Sequence, residues 1–560
     1  MSDGEGYGIY LNHSDYYAEG ERVIGHWHGQ GAAALGLEGE VAEAQFEAVR
    51  QARHPETNEF LRPRHSADRV NSYGDTSCRG RHLYDFTISA PKSVSVMASV
   101  GDDNRLIDAH RRAVMEALEE LESSAGTRVR LDGANENRVT GNLVLAVYHH
   151  DTSRELDPQL HTHAVAANLT FDGTEGRWKA LQASDIYEQR AYLTEVYRNA
   201  LAREVRALGY EIADRRDAKG RDAGFEIGGV SNDLLRRYSQ RSTQRDEAIE
   251  AFKERTGRRP TDNEVAALVR ESRADKLLEI STAEVRERQL ARLQTEEHRQ
   301  LSELKSHALG VERIAPELEL DSANSSLAYA ESHVFERSSV AKTHEVLSEG
   351  LRHGRGHLAL DALKSELHLE ESSGAIVRAG HSMTTRAALE RERSMIASID
   401  RGIGAFERLG GERPYSPSEQ LNQEQRHAVE VLLSSRDRAV NLRGAAGTGK
   451  TAILEALRHG LVENGHEPLA AAPTMSAVNE LRKVGFSDAM TIQGLLADSE
   501  RQATLAGRVL IVDEAGMVSG QQMADLLTLT ERQSMRLVFA GDTQQLRSVE
   551  AGDALRVLER

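Results

Sequence analysis

The sequence predicts a multidomain α/β protein, and three observations predict it. Residues 143–148 form a short apolar run ending in His149-His150, and past Asp157-Pro158 comes the alternating string His161-Thr162-His163-Ala164-Val165-Ala166; these read as two strands joined by a turn. Residues 240–310 are strongly charged with helical character. Residues 439–442 read as a strand that enters Gly444-Ala445-Ala446-Gly447-Thr448-Gly449-Lys450-Thr451 and continues into an apolar helical stretch. A length of 560 residues leaves room for three or four domains.

Composition narrows the function classes. The formal net charge is −18, which argues against a basic nucleic-acid coat, so any DNA contact depends on local patches. The single cysteine excludes an internal disulfide and fits a reducing cytoplasm. No apolar run approaches the roughly 18 residues of a membrane span, so membrane insertion is not expected.

Taken in order, the chain begins with four tyrosines, Tyr7, Tyr10, Tyr16 and Tyr17. They read either as an ordinary aromatic turn or as phenol nucleophiles. A phenol of pKa about 10 attacks a phosphate at neutral pH only with help from a metal or base. His26-Trp27-His28 has His-x-His spacing but no third ligand near it and is expected in a surface turn. In residues 84–95, Phe86 and Ile88 alternate with Thr87 and Ser89, a strand stopped by Pro91. Leu106, His110, Val114, Leu118 and Leu121 recur at helical spacing and read as core. Residues two apart on a strand share a face, so His161 and His163 project together about 7 Å apart while Thr162 points away. The return strand brings His149 or His150 beside them, giving three neutral imidazoles suited to a divalent metal with open positions. Residues 193–208 read as a helix followed by a strand over residues 209–212.

The string from His150 through Ser153, Arg154, Asp157, Pro158, Gln159 and Leu160 to His161 and His163 resembles the three-histidine motif of conjugative relaxases of the MobF type, a branch of the HUH endonucleases. The resemblance selects His150 as third ligand and implies an antiparallel sheet flanked by helices. It also implies a bound Mg²⁺, Mn²⁺ or Zn²⁺, with single-stranded DNA at a transfer origin as substrate, and accessory conjugation proteins and a coupling protein as partners. Tyr16-Tyr17, with the glycine-rich run after Trp27, resembles the second catalytic tyrosine pair, whereas Tyr7 and Tyr10 stand singly where a first pair belongs. Residues 84–95 resemble the relaxase motif whose aspartate, here Asp85, orients a metal-bound histidine and handles the tyrosine proton. Lys92 is then expected to meet a DNA phosphate.

In the middle, Thr261 with Glu264 and Ser281 with Glu284 fit capping boxes at helix starts. Arg236, Arg237, Arg241 and Arg245 are read first as a solvated face and second as a track for DNA. Residues 330–400 read as a small mixed helical module, and Leu409-Gly410-Gly411-Glu412 with Pro414 and Pro417 marks a linker. The expected domains are therefore 1–300, 301–410 and 411–560.

In the last domain the glycines let backbone N–H groups converge on phosphates, Lys450 reaches the β/γ-phosphates and Thr451 binds Mg²⁺. Asp513, after the apolar run 509–512, is expected to hold Mg²⁺ and Glu514 to activate water. Together these motifs resemble a RecD-like superfamily 1 helicase with a RecA-like fold and ATP as cofactor. The resemblance adds Gln425 as an adenine contact, in competition with a capping box on Asn422, residues 472–474 as a DNA contact, and Gln545 as the γ-phosphate sensor. These residues hold one RecA-like domain, so the expectation is nucleotide binding with little hydrolysis and no unwinding by this chain alone. The leading functional expectation is a relaxase joined to a helicase domain. The rivals are a three-histidine metallohydrolase fused to an ATPase and a non-catalytic DNA-binding remnant.

Overall fold

Two apolar strands with polar ends set the first sheet, and four parallel apolar strands with a short edge strand set the second. The computed structural model describes residues 23–541, apart from 63–68, 71–75, 78–81, 132–133, 154, 262–263, 266, 269–280, 312–318, 337, 413–420 and 445–448. The chain divides into two compact units, Met1–Ala323 with Leu351–Leu363, and Asn324–Gly350 with Lys364–Arg560.

In the first unit, β1 (His26–His28), β2 (Leu83–Ser89), β3 (Leu145–Thr152) and β4 (Pro158–Ala167) form an antiparallel sheet in the order β1-β3-β4-β2. The β3 and β4 pair is a hairpin whose turn carries Leu156 at positive φ, with Pro158 opening the second strand. Pro is tolerated at a strand's first residue because no ladder N–H is needed there. Helices α1 (Arg105–Ser123) and α2 (Arg190–Ala207) pack beside one another, and Leu106, Val114, Leu118 and Leu121 are buried as their spacing requires. His26-Trp27-His28 is not a surface turn. It is an edge strand on β3, because Trp27 is buried against Phe46 and the alternation His-Trp-His suits a half-buried strand. The strand expected at 209–212 begins only at Ile212, since Gly209 takes positive φ and turns the chain off the helix.

The helices α3 (Glu319–Phe335) and α4 (Leu360–Ser373) cross the division between the units, and the second unit carries a small three-stranded sheet built from residues 341–342, 376–379 and 382–385. Beyond α5 (Gln423–Ser434) come β5 (Ala439–Arg443), α6 (Lys450–Glu463), β6 (Pro468–Ala472), α7 (Met475–Lys483), β7 (Met490–Thr491), β8 (Val509–Val512) and β9 (Arg536–Gly541). The five strands are all parallel in the order β5-β9-β8-β6-β7. Val509, Leu510, Ile511 and Val512 are all buried, as strands covered on both faces demand. No helix among the described residues is long and apolar enough to cross a membrane.

Candidate active site

The hairpin register decides which histidines meet. His150 pairs with His161, His149 with Thr162 and Tyr148 with His163, while β2 sets Ser89 opposite His161 and Thr87 opposite His163. Directly paired residues share a face, so His150, His161, His163, Thr87 and Asp85 lie on one side of the sheet. The ring centroids of His150, His161 and His163 are 5.1, 5.3 and 5.4 Å apart, a nearly equilateral triangle. His149, the alternative third ligand, turns to the opposite face with Thr162.

Each of two rings is held by its Nδ1. His161 Nδ1 lies 2.9 Å from the Gln159 carbonyl, and His163 Nδ1 lies 2.9 and 3.0 Å from the two Asp85 oxygens. Thr87 Oγ1 adds a contact of 3.3 Å to the same His163 nitrogen. A proton on each Nδ1 leaves Nε2 as the lone-pair nitrogen, the arrangement in which a carboxylate or carbonyl orients a metal ligand. Burial lowers the pKa of His161, which keeps that ring neutral and able to ligate. The donor set therefore fits a divalent cation chemically. Among the described residues no group of three or more His, Cys, Asp or Glu side chains is already drawn in to metal-holding geometry, so the rings converge without closing on a point.

Lys92 donates from its ammonium to the Pro158 carbonyl at 2.9 Å, and burial lowers its pKa, so it braces the β3–β4 hairpin. The arginine cluster stays at the surface, where three of its four members are charge-paired: Arg236 with Asp233, Arg237 with Glu297 and Arg245 with Asp246. That is the solvated, charge-paired face and not a free basic track. Tyr7, Tyr10, Tyr16 and Tyr17 lie outside the described residues.

In the second unit, Gly444 follows β5 and Gly449 takes φ of 81° at the N-cap of α6. Lys450 Nζ donates to the Gly444 carbonyl at 2.5 Å, and Thr451 sits in the first helical turn. Ala445, Ala446, Gly447 and Thr448, as well as Gln545, lie outside the described residues. Asp513 and Glu514 follow β8, and burial raises both pKa values, Glu514 further through the neighbouring charge of Asp513. Glu514 has φ of 51° and takes a hydrogen bond from Thr474, whose hydroxyl also caps α7. The Thr474 contact was not read from the sequence as a brace on Glu514; β6 beside β8 creates it. Gln425 makes both bonds of a capping box with Asn422, and its side-chain amide also lies where a Cβ on Gly449 would sit. The cap and the position beside the phosphate loop are thus compatible.

A model of the TrwC relaxase family matches residues 3–295, and a model of an AAA domain matches residues 420–560. The multifunctional conjugation protein TraI of Escherichia coli (strain K12) is 39% identical over 251 residues, 43% of this chain and 13% of TraI. The RecBCD enzyme subunit RecD of Mycobacterium tuberculosis (strain CDC 1551 / Oshkosh) is 36% identical over 162 residues, covering 24% of this chain and 28% of RecD. A metal-bound structure of conjugative relaxase TrwC in complex with oriT DNA is 32% identical, covers 54% of this chain and 95% of that one, and superposes with a TM-score of 0.44. The chain thus aligns with only a small fraction of the TraI length.

Proposed function

This chain belongs to the TrwC relaxase family, and from that premise we propose that it nicks one DNA strand at a transfer origin by tyrosine transesterification. A phenol from Tyr16 or Tyr17, with Tyr10 and Tyr7 as the remaining candidates, attacks the scissile phosphorus. The tyrosine–phosphate bond forms as the bond to the 3′ oxygen breaks, and the 5′ end stays covalently attached. The phenol gives up its proton, the 3′ oxygen gains one, and reversal on strand transfer reseals DNA. Asp85 holds the His163 ring and is the nearby carboxylate suited to the phenolic proton. His150, His161 and His163 would hold a divalent cation, which would supply charge neutralisation at the phosphate oxygens. The observation that carries this reading is the near-equilateral ring triangle with Asp85 fixing one corner.

In the second unit, residues 444–451 would hold ATP, with Lys450 serving the β/γ-phosphates, Thr451 and Asp513 Mg²⁺, Glu514 the attacking water, Gln425 adenine and Gln545 the γ-phosphate. Accessory conjugation proteins and a coupling protein are the proposed partners, and the cytoplasm the proposed compartment.

The test is incubation with Mg²⁺ or Mn²⁺ and transfer-origin oligonucleotides, followed by denaturing electrophoresis. A protein–DNA band surviving SDS, reduced in Tyr16→Phe or Tyr17→Phe, is expected. Cleavage with free products at both ends points to a metallohydrolase instead, and binding without cleavage to a remnant. Adduct undiminished in both variants overturns the nucleophile assignment.

A further inference from the structure

Behind the three-histidine face lies a second polar cluster that the nicking reaction does not use. Thr162 is fully buried on the opposite face of β4, and His110 of α1 is 2% exposed. The Thr162 hydroxyl lies 3.0 Å from His110 Nε2 and 2.8 Å from His149 Nδ1. His110 Nδ1 in turn lies 2.7 Å from the Tyr197 hydroxyl of α2. The Thr162 side chain thus joins both site strands to α1, and His110 carries the chain of contacts on to α2.

Thr162 stands between His161 and His163, and His149 precedes His150. We propose that Thr162 is a positioning residue for the three-histidine site, its hydroxyl fixing the strand register from which His150, His161 and His163 project. The reasoning is geometric. A slip of one residue in a strand pair moves every side chain to the other face, so the faces of two neighbouring strands are set together or not at all. The hydroxyl has one proton and two lone pairs, so it donates to one imidazole and accepts from the other. That leaves both buried ring nitrogens satisfied only when His149 and Thr162 stand opposite one another, which is the register that sets His150 opposite His161. Apolar packing alone would be served as well by valine at this position, whereas the two nitrogens would not.

This inference rests on the proposed metal-binding role of the three histidines, and its test separates the two. Mn²⁺ alone is titrated into the whole chain and followed by electron paramagnetic resonance, with metal-free thermal midpoints measured alongside. Thr162→Val, which keeps the shape and removes the hydroxyl, is expected to weaken Mn²⁺ binding about tenfold, the scale of losing a residue that orients metal ligands. Thr162→Ser is expected to restore binding to within about twofold of the parent, since it keeps the donor and acceptor. Should Thr162→Val fail to fold, His110→Phe takes its place with the same expected direction. Equal binding by Thr162→Val and the parent overturns the inference, as does an equal loss in Thr162→Ser. His161→Ala is the separate control: if it binds Mn²⁺ like the parent, the metal reading itself fails and takes this inference with it.

Discussion

Asp85 grips His163 with both carboxylate oxygens, at 2.9 and 3.0 Å from the ring Nδ1. The contact is diagonal, because the residue directly opposite His163 is Thr87, and the carboxylate reaches along the strand to find the ring. Asp85→Asn keeps the volume but presents a neutral amide that polarises the ring less. The expected result is a loss of metal affinity of about 10- to 100-fold with little change in the metal-free thermal midpoint. Isothermal titration with Mn²⁺ measures the first and calorimetry the second; unchanged affinity removes Asp85 from the site.

The cluster behind the site gives the first unit a pH dependence. Burial pushes the His110 pKa down to about 3 and that of His149 to about 4, from an ordinary value of 6.5. The unfolded chain takes up these protons below pH 6.5, and the folded chain does so only near its depressed values. Stability is therefore complete above pH 6.5 and falls as pH drops through the window towards about 4 for His149 and about 3 for His110. At pH 5.5 each histidine is expected to subtract about 1 kcal/mol. Thermal midpoints at pH 7.5 and 5.5 check this, and His110→Gln is expected to show the shallower decline. An identical slope in that variant removes His110 as a source.

Much of this architecture was legible in the sequence because the signals were local. The His-x-His alternation, the turn at Asp157-Pro158 and the strand–loop–helix around Lys450 each fix their geometry within a few residues. What was not legible depended on distant pairing. His26-Trp27-His28 looked like a turn because the strand that receives it lies over a hundred residues away, at Leu145–Thr152. Lys92 looked free because its acceptor, the Pro158 carbonyl, comes from another element. The choice of His150 over His149 came from family resemblance; two adjacent histidines on a strand face opposite ways, and only the register with β4 says which way is which.

In the second unit a carboxyl pair works with the opposite sign. Burial, and then the hydrogen bond and charge of Glu370, push the Glu331 pKa up to about 8 from 4.5. The folded chain keeps a proton there that the unfolded chain has released, so this stability is whole below pH 4.5 and is lost as pH rises through 8. Glu331→Gln, which keeps a neutral hydrogen-bonding side chain, is expected to raise the thermal midpoint at pH 8.5 and leave it nearly unchanged at pH 5. Scanning calorimetry at the two values decides, and a variant that is no more stable at pH 8.5 refutes the shared-proton account.

The nucleotide site offers a backbone test. Gly449 holds φ of 81°, a conformation costly for any residue with a Cβ, and a Cβ there would also run into the Gln425 amide. Gly449→Ala must therefore either shift the start of α6 or displace Gln425, and both disturb the residues proposed to meet phosphate and adenine. Lys450→Ala removes the charge without touching the backbone. Both variants are expected to weaken binding of a fluorescent ATP analogue by at least about tenfold, roughly the 1.4 kcal/mol of one charge-assisted hydrogen bond. They should differ in stability: Lys450→Ala is expected to melt close to the parent, whereas Gly449→Ala loses about 1 kcal/mol or more through strain. Fluorescence titration and thermal melts of the two proteins separate loss of a contact from loss of the loop. Parental affinity in Lys450→Ala would mean that the loop does not hold phosphate in the way its sequence and its place between β5 and α6 indicate.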